Sequence, residues 1–405
     1  MMKVFQGAFF VAVLLLCSIS VFAINTEPIA SPQFSFKTQK EAVAWSKDVL
    51  DLKKRYDSKN KKVSAAAKLE VAELSRSYRD HYDIKWSRKE LSKKFKTFTE
   101  NLWYIAETNI ENEEEKQPWW TALTLYADMS WFEFLSRHLM DIKPDKFDFK
   151  PVEFTKVFDG VDWRKKGKVT GVKNQLNCGT CWAFAAAAAA ESSFLIANDL
   201  KYPDWNIDIS EQQIVDCARP PTRHPDGTLY FRNTCRVGGS SPEAFRYMTQ
   251  FNATYEDLYP YRGNVGACTQ NPQTENGDPA PGVVISQPYG GFTQVEAENV
   301  TAIKGALGVR PVVQYLRAEN GFQFYSGGIY SRACSNRDVN HAVMLYGYAT
   351  VNLGQFSSDS WLIKNSYGED WGEEGFMRLA ITDGEGICES QRWIYQPRTV
   401  SVSRP

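Results

Sequence analysis

Apolar positions along this chain follow three rhythms, and each predicts a different element. Behind Lys3, Phe9 to Phe22 is a mostly apolar run ending at Val21-Phe22-Ala23, a small-residue cleavage pattern, so residues 1–23 read as a secretory signal peptide. The run is too short to predict a membrane span, and no later stretch is apolar for long enough to cross a bilayer. A helical rhythm follows. Leu91, Phe95, Phe98, Leu102 and Ile105 recur at three- and four-residue steps behind Ser87-Arg-Lys-Glu90, which has the spacing of a capping box, and together they predict one long helix. On that helix Glu90, Lys94, Phe98, Asn101, Ile105 and Asn109 fall at spacings of 4, 4, 3, 4 and 4, close to one stripe, which by spacing alone is an amphipathic surface with a partly polar face. Beyond residue 158 the runs shorten: VNHAVMLYGY (339–348) and SWLIKNSYG (360–368) predict strands. Between the two patterns lies AFAAAAAAESSFLIAN (183–198), an alanine-dense helix former that puts Thr180 at the N-cap and Cys181 in the first turn.

Composition divides the chain at the same places. Residues 24–150 carry no cysteine and are rich in lysine, glutamate and aromatics, whereas all seven cysteines other than Cys17 of the signal lie after residue 158. The joint DIKPDKFDFKPVEF (141–154) is charged, holds Pro144 and Pro151 and has no helical period, so it reads as an exposed linker open to proteolysis. The expected units are therefore 1–23, 24–154 and 155–405. A net charge of −1 argues against nucleic-acid binding driven by phosphate neutralisation. Asn252-Ala-Thr254 and Asn299-Val-Thr301 are glycosylation sequons that agree with a secretory route.

Seven cysteines cannot all pair, so one is left as an intermolecular link or a free thiol. Cys181 sits where unpaired helix N–H groups and the helix dipole favour a thiolate, the nucleophile of acyl transfer. A base is then needed, and the chain has only four histidines. His81 and His138 belong to the amino-terminal unit, and His224 lies in a proline-rich loop, RPPTRHPDG. His341 stands at the entry to a strand-like run. A lone histidine there is more often a satisfied core residue, but Asn365 in WLIKNSYGEDWG offers an amide that can orient its ring. Gln175 can donate to an oxyanion beside the Cys181 N–H. A redox reading of Cys178-Gly-Thr-Cys181 would need a βαβ frame that the flanks do not supply, and the cysteines lack the paired short spacings of a zinc site.

VDWRKKGKVTGVKNQLNCGTCWAF (161–184) resembles the start of mature papain-like cysteine proteases, and ISEQQIVDC, CRVGG, YPYRG, NHAV and KNSYGEDWGEEGFMRL follow in that family's order. The Glu90–Asn109 stripe and the element around Tyr126-Ala-Asp128 are similar to the propeptide signature of cathepsin L-like members, with Lys94 where arginine is usual and Ala122 and Thr124 replacing a glycine and an asparagine. The resemblance implies an α+β, two-lobed papain-like fold, helical lobe plus β-barrel-like lobe, preceded by an α-helical propeptide domain. It implies Cys181 as nucleophile, His341 as base and acid, Asn365 as orienting amide and Gln175 as oxyanion side chain. Gly238, Gly239, Asn340 and Trp371 are implied at the substrate, with Gly238-Gly239 as a backbone edge for extended peptide. It also implies pairing of Cys178 with Cys235, Cys217 with Cys268 and Cys334 with Cys388, and an endopeptidase made as a zymogen.

No metal or cofactor is expected. The expected partners are protein or peptide substrates and the chain's own propeptide, on a monomer without nucleic acid or membrane span, in the lysosome or outside the cell. Alternatives are a non-catalytic binding homologue and a cathepsin B-type exopeptidase, the latter disfavoured because the run from Gly239 to Tyr259 has no histidine-bearing insert. Departures from the family pattern include Thr180, Tyr367 in place of a tryptophan, and 17 residues between Cys217 and Cys235. The long segment from His341 to Asn365 predicts an enlarged surface loop between two strands. Either Gln391 or Trp393 could floor the main specificity pocket.

Overall fold

The computed structural model describes residues 34–140, 154 and 157–402, apart from 219–221, 224–228, 231–233, 270–271, 275, 288, 336 and 355. The signal segment, nearly all of the 141–154 joint and His224 lie outside the described residues.

The amino-terminal unit is built on three helices, α1 (Gln39–Tyr56), α2 (Lys61–His81) and α3 (Leu91–Glu114). Thr38 caps α1 by accepting from Glu41 N, and Asn60 caps α2 by accepting from Lys62 N and Val63 N. At α3 the expected capping box does not form. The Glu90 carboxylate accepts from Ser87 N and Ser87 Oγ, so the serine hydroxyl is spent as a donor and caps no helix N–H. Val49, Leu52, Val71, Leu74, Tyr78, Phe98, Leu102 and Ile105 close one apolar core among these helices.

Beyond Glu90, which is exposed, the polar stripe of α3 faces inward, not outward. Asn101 and Asn109 are buried beside Phe98 and Ile105, and a buried amide must find partners. Those partners are backbone groups of the next segment. Asn101 Nδ2 donates to the carbonyls of Ala127 (2.9 Å) and Met129 (2.8 Å). Asn109 Oδ1 accepts from Thr121 N at 2.8 Å and its Nδ2 donates to Thr121 O at 3.0 Å. Lys94 reaches the Asp128 carbonyl and Glu133 Oε1, both at 3.2 Å. The stripe thus shapes an arm containing strand β1 (Trp119–Thr121) and helix α4 (Trp131–His138), which Ser130 caps by accepting from Glu133 N.

The second unit has a helical side and a sheet. Helix α5 (Cys181–Ala197) is buried from Cys181 to Leu195, as an alanine helix without a polar face must be. Helices α6 (Glu211–Cys217) and α7 (Ser241–Gln250) pack on it, α7 with a complete Ser240–Glu243 capping box. The main sheet uses β2 (Phe292–Gln294), β3 (Val312–Leu316), β4 (Tyr325–Tyr330), β5 (His341–Leu353), β6 (Phe356–Lys364), β7 (Phe376–Ala380) and β8 (Ile394–Pro397). Their order, with the arm's strand at one edge, is β1-β4-β7-β6-β5-β3-β8-β2, and Val161–Asp162 also pairs with β5. β1 therefore adds the amino-terminal unit to the sheet of the second, antiparallel to β4 with Trp120 opposite Gly327. Side chains on Gly327 or Gly328 would collide with the Trp120 ring and the Pro118–Trp119 backbone.

Disulfides join Cys178 to Cys235, Cys217 to Cys268 and Cys334 to Cys388, and Cys181 is free and buried. The 218–234 insert includes a two-stranded hairpin, Thr222–Arg223 against Leu229–Tyr230. The two strands expected in the segment from His341 to Asn365 are present, but the enlarged loop expected between them is itself mostly strand. β5 and β6 pair from Met344↔Lys364 out to Leu353↔Phe356, and the extra residues prolong the ribbon, with half-buried and exposed positions alternating at its outer end.

Candidate active site

Cys181 opens α5 at the junction of helix and sheet. Thr180 holds the N-cap position without capping; its hydroxyl shares hydrogen bonds with the Cys178 carbonyl (3.3 Å) and the Tyr261 hydroxyl (2.7 Å). Ala342 N donates to Cys181 Sγ at 3.4 Å, bringing the first residues of β5 onto the thiol. That contact and the N–H groups of Cys181 and Trp182 favour a thiolate, yet burial outweighs them and pushes the thiol up to about 12. In this covered state burial thus works against the thiolate expected from the helix start.

His341 and Asn365 meet because β5 and β6 are antiparallel neighbours. Met344 lies opposite Lys364, so the start of one strand and the residue after the other share one end of the sheet. His341 Nε2 lies 2.8 Å from Asn365 Oδ1, and Ser366 N donates to the same oxygen at 2.8 Å. An amide oxygen only accepts, so Nε2 carries the proton and Nδ1 is left with a lone pair. Tyr367 covers the imidazole, stacked at 5.0 Å and 27°, and its hydroxyl is 3.5 Å from Nδ1. Trp371 stands behind Tyr367, fully buried, with Nε1 donating to Phe322 O at 3.0 Å. Burial lowers His341 to about 4, opposed by the Asn365 bond.

Gln175 is held by Ser366, whose Oγ donates to its Oε1 at 2.6 Å. Its Nε2 donates to the Cys178 carbonyl and to the carbonyl of His138, each at 2.9 Å. The second acceptor belongs to the amino-terminal arm. From there the arm runs on past Leu139 to Met140, whose N donates to Asn340 O at 3.0 Å. Asn340's own amide is occupied, accepting from Ala318 N at 2.7 Å and donating to Ala318 O at 3.0 Å. Gly238 has φ +65° and lies under the Met140 side chain, where a Cβ would collide with the thioether; a Cβ on Gly239 would strike the Trp182 ring. A cleft of about 960 Å³ continues beyond, lined by Arg236, Gly263, Arg317, Asp338 and Asn340 as well as Met140.

Residues 157–397, more than half of the chain, match the model of the family described as "Papain family cysteine protease". The chain belongs to that family. A papain-family relative from Fasciola hepatica, a cathepsin L-like proteinase, is 33% identical over 291 residues, 70% of this chain and 80% of its own length. Vignain from Phaseolus vulgaris is 32% identical over 330 residues, 78% of this chain and 82% of its own. The solved digestive procathepsin L 3 from Tenebrio molitor larval midgut aligns with TM-score 0.65 at 25% identity, covering 81% of this chain and 99% of its own. The fold is the two-lobed papain-like α+β fold with a helical amino-terminal domain, and the protein is a cysteine protease, a peptide hydrolase.

Within this papain-family frame, Gln175, Cys181, His341 and Asn365 converge on one junction. Gln391 does not lie free for a pocket floor: its Nε2 donates to Thr382 O and Gly384 O at 2.8 Å and its Oε1 accepts from Trp361, whereas Trp393 is half-buried. Asn252 Nδ2 donates to Ala280 O at 2.7 Å, and Thr254 of that sequon is buried. Asn299 is the N-cap of helix Val300–Val309, accepting from Ala302 N at 2.9 Å. Ser366 and Tyr261 were not singled out from the sequence, although Ser366 adjoins Asn365. Tyr261 OH donates to the Gln175 carbonyl at 2.8 Å, a contact across 86 residues that no local pattern signals.

Proposed function

We propose that this papain-family protease is an endopeptidase made as a zymogen on the secretory route, with residues 24–154 inhibiting the catalytic unit 155–405. The observation that carries the reading is the Gln175 amide spent on the His138 carbonyl, beside Cys181 and His341. A carbonyl from the chain's own arm then occupies the place of a substrate's. The likeness to a procathepsin supports the same reading, because it covers 81% of this chain, more than residues 155–405 alone could supply. The signal pattern and the three disulfides support an oxidising compartment, lysosomal or extracellular. Asn252 and Asn299 remain the glycan candidates, and the protein is taken as a monomer.

Once the arm leaves and water returns, the thiol and imidazole exchange a proton to give thiolate and imidazolium. Cys181 Sγ attacks the peptide carbonyl carbon, forming a C–S bond while the carbonyl electrons move to oxygen, held by Gln175 Nε2 and Cys181 N–H. His341 gives its proton to the leaving nitrogen as the C–N bond breaks. Neutral His341 then takes a proton from water, the hydroxide attacks the thioester, and the C–S bond breaks to restore the ion pair. Asn365 keeps the ring oriented throughout. Gly238, Gly239 and the Asn340 carbonyl hold the substrate backbone in the places the arm now uses, and Trp371 backs the Tyr367 cover.

The test is peptide hydrolysis by the wild-type and Cys181→Ala proteins after removal of residues 24–154. The wild type should turn over an unfolded peptide, and the variant should fall to background while keeping its disulfides and fold. Turnover by Cys181→Ala near the wild-type rate overturns the assignment.

A further inference from the structure

We propose, resting on the reading of residues 24–154 as an inhibitory segment, that His138 is its proton-operated release: a neutral imidazole packed against the catalytic centre, whose protonation expels the arm from the cleft. His138 ends α4, where the arm enters the site. Its ring is enclosed by aromatic faces and edges, Tyr126 at 4.7 Å, Phe134 at 5.0 Å and Tyr367 at 6.0 Å between centroids. It is 2% exposed, and neither ring nitrogen has a hydrogen-bond partner among the described residues. A buried donor and acceptor left unmade are costly, and a charge in that place costs far more. The same residue's carbonyl is the one held by Gln175, two residues before Met140 docks on Asn340 O. Any movement that brings the ring to water also draws that carbonyl off the oxyanion side chain.

The surrounding charges do not rescue an imidazolium. On α4 itself Glu133 is engaged by Arg137 at 2.9 Å and by Lys94 of α3 at 3.2 Å. Asp128 is held by Lys94 at 3.6 Å and by Trp86 Nε1 at 2.7 Å. Lys85 and Glu90 line the outer part of the cavity of about 350 Å³ that reaches His138. The enzyme side contributes His341, Tyr367 and Cys181, the thiol kept neutral by burial. Arg137 is the charge that opposes its protonation, joined by His341 only once that ring is itself protonated; the Leu176 backbone favours it but falls short of hydrogen-bond geometry. Burial first, then these charges, hold His138 down to about 3.

A base held below its free value keeps the arm docked above about pH 6.5 and weakens docking as pH falls toward the docked value, about tenfold per unit and roughly 100-fold by pH 4.5. Free carboxylates titrate near 4 and contribute little in that window. Asp128, raised by burial, works the other way, since its protonated form favours the docked state.

The experiment measures the initial rate at which Cys181 of the full-length precursor reacts with a dipyridyl disulfide, in wild type and His138→Phe, from pH 7.5 to 4.5. Taking the ratio of the two rates cancels the intrinsic pH dependence of the thiol, and no step depends on peptidase turnover. The wild-type to variant ratio should climb about tenfold per unit below pH 6.5; a flat ratio overturns the switch. A second measurement stands if His138→Phe fails to fold. In the Cys181→Ala precursor, with only four histidines to resolve by nitrogen NMR, His138 should stay neutral below pH 5 while the arm is docked. Titration at about 6.5 or above in the docked precursor overturns the proposal. Failure of the protease reading itself would appear separately, in peptide hydrolysis by the matured wild type.

Discussion

Asn109→Ala is the most demanding test of the proposal that the amino-terminal unit keeps the enzyme covered. The side chain is fully buried and makes bonds to both backbone groups of Thr121, accepting from its N at 2.8 Å and donating to its carbonyl at 3.0 Å. Thr121 ends the strand that adds the unit to the catalytic sheet, and it is itself 0% exposed, so water cannot replace the lost partners without opening the junction. Two unsatisfied buried groups at about 1–3 kcal/mol each give roughly 2–6 kcal/mol. Even the lower figure shifts the docked-to-open equilibrium by roughly 30-fold. The assay is labelling of Cys181 in the full-length precursor at neutral pH by a small thiol reagent, which reacts through the open state. Asn109→Ala should label at least about 30-fold faster than wild type. Lys96→Ala, which removes only an exposed pair with Glu100, should change it little. An Asn109→Ala rate within about threefold of wild type, in a protein with unchanged helix content, would refute the reasoning, because it would mean that β1 docks without its buried anchor.

Two further outcomes follow from the catalytic unit. Tyr367→Phe removes the hydroxyl that stands 3.5 Å from His341 Nδ1 and favours the neutral ring, so the alkaline limb of kcat/KM for the matured enzyme should move up by less than about one pH unit. The stacked ring stays, so kcat should fall less than about tenfold, and a limb that moves down would contradict the donor role. Lys173→Met strips the cation shared by Glu191 (3.0 Å), Asp208 (2.6 Å) and Glu211 (2.7 Å), of which Glu191 and Glu211 are buried. Breaking such a set costs about 3–5 kcal/mol, or roughly 6–20 °C in melting temperature at a fixed scan rate and neutral pH. Lys173 helps hold Glu191 below the ordinary carboxylate range, so without it the carboxyls take up protons more readily and the deficit should shrink as pH falls; a loss under about 1 kcal/mol at neutral pH would show that the cluster is not held by this lysine.

The residues that meet at the candidate site could be picked out from the sequence because each stands in a distinctive local pattern. An odd cysteine at the mouth of an alanine helix, a histidine opening a strand, and an asparagine closing another are local patterns, and their spacing survives without knowledge of the fold. The α3 stripe was equally visible, but its direction was not. Spacing fixes that Asn101 and Asn109 share a face; only the position of the arm shows that this face is buried and that its amides serve backbone groups 26 and 12 residues away. Likewise the residues between the two predicted strands, 349 to 359, could be read as a loop, since a ribbon projecting past the core loses the continuous apolar signal of a buried strand. The protonation states were decided by the tertiary structure alone. Helix position argues for a thiolate at Cys181, yet desolvation under the arm reverses the sign. His138 carried no signal at all, because a histidine's function here depends on which aromatic rings and which imidazole the arm brings against it. Sequence determined the reactive groups and the elements that carry them; long-range packing determined which groups are dry, which are paired and which carry charge, since those depend on distance through space.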